Sequence, residues 1–136
     1  MSRSALITVL GVAAVIALTI GASAQQAKNN AASDLGYPSV AAALEGMRVK
    51  SGTRSSVQDG WTVVEDAATK SIWSFAPQGH PAHPAVVRRT VVQEGSNIFI
   101  QMSILCEAAK AACDKLAADF AELNNQMRRS LNRPKN

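Results

Sequence analysis

Cys106 and Cys113 are the only cysteines in the chain, and their spacing restricts what can be built around them. Seven steps of continuous helix would place their Cα atoms about 10 Å apart. A disulfide needs those atoms within about 7 Å. A bridge between them and an unbroken helix through both therefore exclude each other. The flanking residues offer a way to form the bridge. Residues 98–105 have strand character, with Ile98, Ile100, Met102 and Ile104 on one face. Glu107-Ala-Ala-Lys110 reads as a first helical turn with its acid at the favourable end of the dipole. Cys106 then falls on the bend, and Cys113 faces back from the second turn. The bridge would pin the last strand to the helix that packs on it. The alternative is a pair of reduced, buried, small apolar side chains. A redox-active pair has less support, because the spacing is not Cys-x-x-Cys.

Bridge or thiols is a question of compartment, and the N-terminus bears on it. Arg3 is the only charge before Lys28, residues 5–20 form an apolar run, and Gly21-Ala22-Ser23-Ala24 supplies small residues ending in an Ala-x-Ala site. Those are the three parts of a secretory signal peptide, with cleavage after Ala24. The run is shorter than the roughly 20 residues a spanning helix requires. No stable membrane insertion is therefore expected after cleavage. No cysteine follows the small residues, and no arginine pair precedes the run, so general secretion is the simpler route. The sequence predicts an exported protein, periplasmic or secreted, in which Cys106 and Cys113 are bridged.

Removing residues 1–24 leaves 112 residues, one domain of ordinary size. Residues 25–34 are polar and aperiodic and read as a flexible leader. The domain spans 35–131, and 132–136 form a tail. Pro38 opens a helix, with Val40, Ala43, Leu44 and Met47 as its apolar stripe. Gly46 weakens that helix by about 1 kcal/mol relative to alanine, and Ser51-Gly52 ends it. Strands follow over 54–58, 61–64, 71–75, 86–93 and 97–104. Asp59-Gly60 is a strong hairpin signal, and Gly95-Ser96 marks another turn. Short connections make neighbouring strands antiparallel. A long C-terminal helix carries Ala109, Ala112, Cys113, Leu116, Phe120, Leu123 and Met127 as one stripe. The pairs Lys110–Asp114 and Lys115–Asp119 stand at i,i+4 spacing. The fold class is α+β: an N-terminal helix, an antiparallel meander of four to five strands, and a long C-terminal helix packed on one sheet face. With both helices on that face, the domain would have two layers.

The charge pattern narrows the function. Loss of Arg3 lowers the net charge from +4 to +3. The basic residues are scattered, and Arg88 and Arg89, adjacent on a strand, point to opposite faces. Arg128 and Arg129 suit a helix C-terminus. No basic stripe with interleaved aromatics appears, so no nucleic-acid partner is expected. The two histidines lie in Gln78-Gly79-His80-Pro81-Ala82-His83-Pro84. Imidazoles ligate metals and titrate near neutrality, but a zinc site needs four ligands, or three and water. Trp73, with Trp61 and Phe75, is either a ligand platform near this loop or core, and core is favoured for side chains of this size. No nucleophile–base set, phosphate loop, dinucleotide fingerprint or haem motif is present, and no cofactor is implied.

Trp73-Ser-Phe-Ala-Pro-Gln-Gly-His-Pro-Ala-His-Pro84, followed by Val86-Val-Arg-Arg-Thr-Val91, resembles a segment of small exported proteobacterial proteins of unestablished activity. The likeness runs from about Tyr37 to Phe120. Some such chains are labelled J-domain chaperones. A J-domain is a helical hairpin with a working His-Pro-Asp loop, whereas this chain has His80-Pro-Ala82 and His83-Pro-Ala85 among strands. The resemblance implies compartment and fold. The expected function is a non-enzymatic binding or accessory protein of the cell envelope, with an unknown envelope partner or ligand. The alternative is a metal-handling protein using His80 and His83.

Overall fold

The structure is a computed structural model that describes residues 34–133. The expected signal peptide over 1–24, the expected leader up to residue 33 and residues 134–136 lie outside the described residues. Within them the order is α1 (Val40–Val49), β1 (Thr53–Gln58), β2 (Trp61–Asp66), β3 (Ser71–Phe75), β4 (Ala85–Glu94), β5 (Asn97–Cys106) and α2 (Lys110–Leu131). The fold is α+β, with one five-stranded sheet in the order β1-β2-β3-β4-β5 and every neighbouring pair antiparallel.

The turns explain that simple order. Asp59 and Gly60 both take positive φ, 49° and 84°, as a type I′ hairpin requires. At the β4–β5 turn Gly95 has φ 60°, the requirement of a II′ turn at its first central position. Residues 67–70 close the β2–β3 turn, where the Lys70 N–H donates to the Ala67 carbonyl at 3.3 Å. Only the loop between β3 and β4 is long.

The register sorts the side chains onto two faces. Val64 and Trp73 lie opposite each other, as do Phe75 and Val86. These four pack with Leu35, Val40, Ala43 and Met47 beneath α1. On the other face Val63, Ser74, Val87 and Ile104 form one cross-strand row. There Leu116 of α2 packs with Val87, Ala76, Ala82 and Ala85, edged by Trp61, Met102, Ile104 and Phe120. The helices therefore cover opposite faces, and the domain has three layers where two were expected. The reason is local. Consecutive valines, Val63-Val64 and Val86-Val87, are all buried, so the central strands present apolar surface on both sides and one helical layer cannot cover it.

The helix ends also differ from expectation. Ser39 caps α1, its hydroxyl accepting from the Ala42 N–H at 3.1 Å, so Pro38 precedes the cap and is not the first helical residue. The Val40 N–H donates to Glu107 Oε1 at 2.8 Å. Glu107 thus caps α1 across 67 residues of sequence and lies outside the first turn of α2. That helix starts at Lys110 with no side-chain cap and no acid in its first turn. Its inner stripe holds Leu116, Phe120 and Asn124, and Asn124 is buried while Leu123 stays 40% exposed. Asn132, read as the start of the tail, docks on the outer edge of β5: its Oδ1 accepts from the Ile98 N–H at 3.2 Å and its Nδ2 donates to the Ile98 carbonyl at 3.1 Å.

Cys106 ends β5 and Cys113 lies in the first turn of α2, joined by a disulfide with the Cα atoms 5.8 Å apart. Residues 107–109 break the path between strand and helix, which is how a seven-residue spacing satisfies the 7 Å limit.

Candidate functional site

The β3–β4 loop is shaped by its own histidines. The His80 N–H donates to the Pro77 carbonyl and the His83 N–H to the His80 carbonyl, both at 2.9 Å. The His80 ring accepts the Ala82 N–H on Nδ1 at 3.1 Å, and His83 Nδ1 meets the Ala76 carbonyl at 3.0 Å. Each imidazole thus has one nitrogen engaged by loop backbone. Among the described residues no group of three or more His, Cys, Asp or Glu side chains is placed to hold a metal ion. Trp73 is not near this loop's outward side. It is buried on the α1 face, its Nε1 donating to Ser71 Oγ at 3.2 Å, with Tyr37 edge-on at 5.8 Å and the Arg88 guanidinium 5.5 Å from its ring. Trp61, on the α2 face, is the indole that His80 touches, at 5.0 Å between ring centroids. No common platform of Trp61, Trp73 and Phe75 exists, because the strand alternation sends Trp61 to the opposite side.

From His80 the contacts continue along the α2 face. Trp61 meets Phe120 edge-on at 5.7 Å, and the Arg89 guanidinium carbon lies 5.3 Å from the Phe120 ring. Arg88 and Arg89 do point to opposite faces, but their surroundings differ. Arg88 Nη2 donates to the Asp34 carbonyl at 3.1 Å and contacts Ser103 Oγ at 3.4 Å. Arg89 Nη1 has only the thioether of Met127, at 3.4 Å, and its Nε is buried with no acceptor among the described residues. Burial pushes its guanidinium below the ordinary arginine value. The three acids that α2 carries beyond its start are engaged elsewhere: Asp114 with Lys110 at 2.5 Å, Asp119 with Lys115 at 2.7 Å and Glu122 with Arg129 at 3.4 Å, all on exposed side chains.

Arg89 lines a cavity of about 290 Å³ between the β1–β2 hairpin and α2, with Trp61, Val63, Ser74, Phe120 and Leu123 as walls and Gln58 and Asp59 at the hairpin. A half-buried cation with no ion pair, in a recess walled by aromatic and aliphatic side chains on one side and by Gln58, Asp59 and Ser74 on the other, can receive an anionic group. The sequence placed Arg89 on a strand facing away from Arg88 and did not single it out as a site residue. The signal was present in Val86-Val-Arg-Arg89, where two consecutive buried valines put apolar surface on both faces of the strand just ahead of the arginines.

The α1 face holds a second polar cluster. Asp66, 1% exposed, receives Lys50 Nζ on Oδ2 together with the Thr69 hydroxyl at 2.8 Å. The Thr69 and Ser71 hydroxyls are 2.6 Å apart, which links the acid to the Trp73 indole. The Lys50 bond, with Thr69 in support, holds the Asp66 carboxyl below its ordinary value against the opposing effect of burial. This chain of bonds borders a cavity of about 420 Å³ and fastens the C-terminal end of α1 to the β2–β3 turn. A wider groove of about 570 Å³ on the other side of that turn has Arg54 and Glu65 facing each other across β1 and β2. In the first of these cavities the buried acid is matched by Lys50.

Comparison with protein-family models, with curated proteins and with solved structures found no match to the chain.

Proposed function

We propose that the protein is an exported, non-enzymatic binding or accessory protein of the cell envelope, and that the Arg89 cavity is where it binds. The carrying observation is the half-buried, unpaired guanidinium in an aromatic-walled recess. Desolvating a charge without a partner is expensive, and the ring contact offsets only about 0.5–2 kcal/mol of that cost. A protein that keeps such a group at its surface gains from it when a partner brings the missing negative charge. The signal-like N-terminus and the Cys106–Cys113 bridge support export, since bridges persist in oxidising compartments. No nucleophile–base pair accompanies Arg89 in the recess. The metal-handling alternative rests on His80 and His83, each already tied to loop backbone on one nitrogen.

The test is recovery of the protein from its native host, with native mass spectrometry and metal analysis of the same sample. Expected are an N-terminus at Gln25, an envelope or medium location, and a co-purified ligand or partner lost in Arg89→Gln. A cytosolic chain that keeps Met1 would overturn the reading. So would a stoichiometric metal lost in the His80→Ala/His83→Ala variant, or turnover of an envelope polymer.

A further inference from the structure

We infer that the Arg89 cavity takes small molecules bearing one carboxylate on a short apolar body, with the carboxylate on the guanidinium and the body between Trp61, Phe120 and Leu123. The inference rests on the reading of this cavity as the binding site, and adds the ligand's chemistry.

The charge comes first. Arginine stays protonated at any physiological pH, so a half-buried guanidinium requires an anion or water. Nothing on the elements packed around it supplies the anion. β3 contributes Ser74, and α2 contributes Phe120, Leu123 and Met127. The acids of α2 are paired on its own outer surface. Asp59 is the one acidic residue at the cavity, and it stands exposed on the hairpin turn with no ion pair to Arg89. Met127 takes one Nη1 hydrogen and Nε is enclosed by protein, which leaves the remaining Nη1 and Nη2 hydrogens at the tip of the fork to meet an acceptor. A carboxylate fits that tip with two parallel hydrogen bonds.

The walls decide between carboxylate and phosphate. A phosphate dianion needs several donors, and here one guanidinium is joined only by the Ser74 hydroxyl and the Gln58 amide, with Asp59 repelling a second negative charge. The remaining lining is apolar. Leu123, beside the inner stripe of α2, is 40% exposed, and an apolar body in the cavity would cover it. The cavity is small, about 290 Å³, and open to solvent, so it takes the end of a ligand and lets the rest extend outward. That matches an arylalkanoic or short-chain acid, or the last residue of a peptide.

The experiment uses the disulfide-bonded protein as exported, titrated by calorimetry and by amide and side-chain NMR. 3-Phenylpropanoate represents a free acid and N-acetylphenylalanine a chain terminus, with 3-phenylpropan-1-ol and N-acetylphenylalaninamide as their neutral counterparts. The acids are expected to bind saturably and to shift the Arg89 Nε–H, Trp61 and Phe120 resonances. The neutral compounds should bind at least about tenfold more weakly, as should the acids to Arg89→Gln. Arg88→Gln, the same charge change on the opposite face, should bind as the unaltered protein does. The tighter of the two acids identifies the source. Neutral compounds binding as well as acids, shifts confined to another surface, or no acid binding below about 10 mM would overturn the inference. The acid–neutral comparison on unaltered protein decides even if Arg89→Gln does not fold. Failure of the acids while a different native ligand co-purifies removes the carboxylate assignment alone, and failure with no ligand or partner removes the binding reading as well.

Discussion

Gly46→Ala separates what α1 prefers as a helix from what its packing allows. Helix propensity alone makes the exchange stabilising by about 1 kcal/mol. In the structure, an alanine Cβ at this position would lie 2.5 Å from Tyr37 Cε1, 2.7 Å from its Oη and 2.8 Å from its Cζ. Carbon atoms rest about 3.5–4.0 Å apart, so the ring must retreat by about 1 Å. Tyr37 packs on the α1-side core and meets Trp73 edge-on at 5.8 Å, so the retreat presses into packed side chains. Overpacking of this kind costs about 1–3 kcal/mol. After the propensity gain, a net loss of about 1 kcal/mol is expected, or about 4–8 °C in Tm for a domain of this size. Urea unfolding, followed by tryptophan fluorescence and circular dichroism, measures it. In a Tyr37→Ala background the obstruction is gone, and the same exchange should stabilise by about 1 kcal/mol. The cycle isolates the contact. A higher midpoint for Gly46→Ala in the unaltered protein, or equal effects in both backgrounds, would refute the reasoning.

Three further outcomes follow from the same structure. The Asp66 carboxyl is held low by Lys50, so its contribution to stability is present above the ordinary carboxylate range and lost as pH falls through the lowered folded value. Asp66→Asn should therefore lower the urea midpoint at pH 7 and flatten its decline below about pH 4, and parallel acid limbs would count against the network. Cys106→Ser/Cys113→Ser should lose about 2–3 kcal/mol, as expected for so short a closed loop, and two titratable thiols in unfolded, unreduced protein would disprove the bridge. Glu107→Ala should cost about 1 kcal/mol and speed hydrogen exchange at the Val40 amide, with Glu107→Gln restoring most of both, since an amide oxygen still accepts that bond.

What could be read from the sequence was local. Asp59-Gly60 demands positive φ at both positions, so it defined its hairpin without help from the rest of the chain. The alternation of Ile98 to Ile104 and the stripe of α2 came from periodicity alone. The argument that excludes a helix through both cysteines needed only two distances. The misreadings involve partners distant in sequence. Glu107 looked like an N-terminal acid of the nearest helix, yet its acceptor role is to Val40, 67 residues earlier. Gly46 looked like a weakness because propensity cannot register the Tyr37 ring laid against it. The two-layer expectation failed because each helix was known to need a face, while the consecutive buried valines that provide two faces were read strand by strand.

Arg88 and Arg89 show the same division at the candidate site. That neighbours on a strand diverge is a property of the backbone, and it was legible. What each side chain meets is a property of the fold. Arg88 finds the Asp34 carbonyl, 54 residues away, and Ser103 on β5. Arg89 finds the ring of Phe120 and the sulfur of Met127, contributed by a helix whose acids face outward. Had Asp119 and Glu122 stood one helical step round, the inner face of α2 would have neutralised Arg89 and the cavity would be an ordinary buried ion pair. The helix instead pairs Asp119 with Lys115 at i,i+4 and Glu122 with Arg129 at i,i+7, and leaves Leu123 and Phe120 beside the guanidinium. The placement of α2's acids therefore leaves Arg89 without a counter-charge from the helix that packs on it.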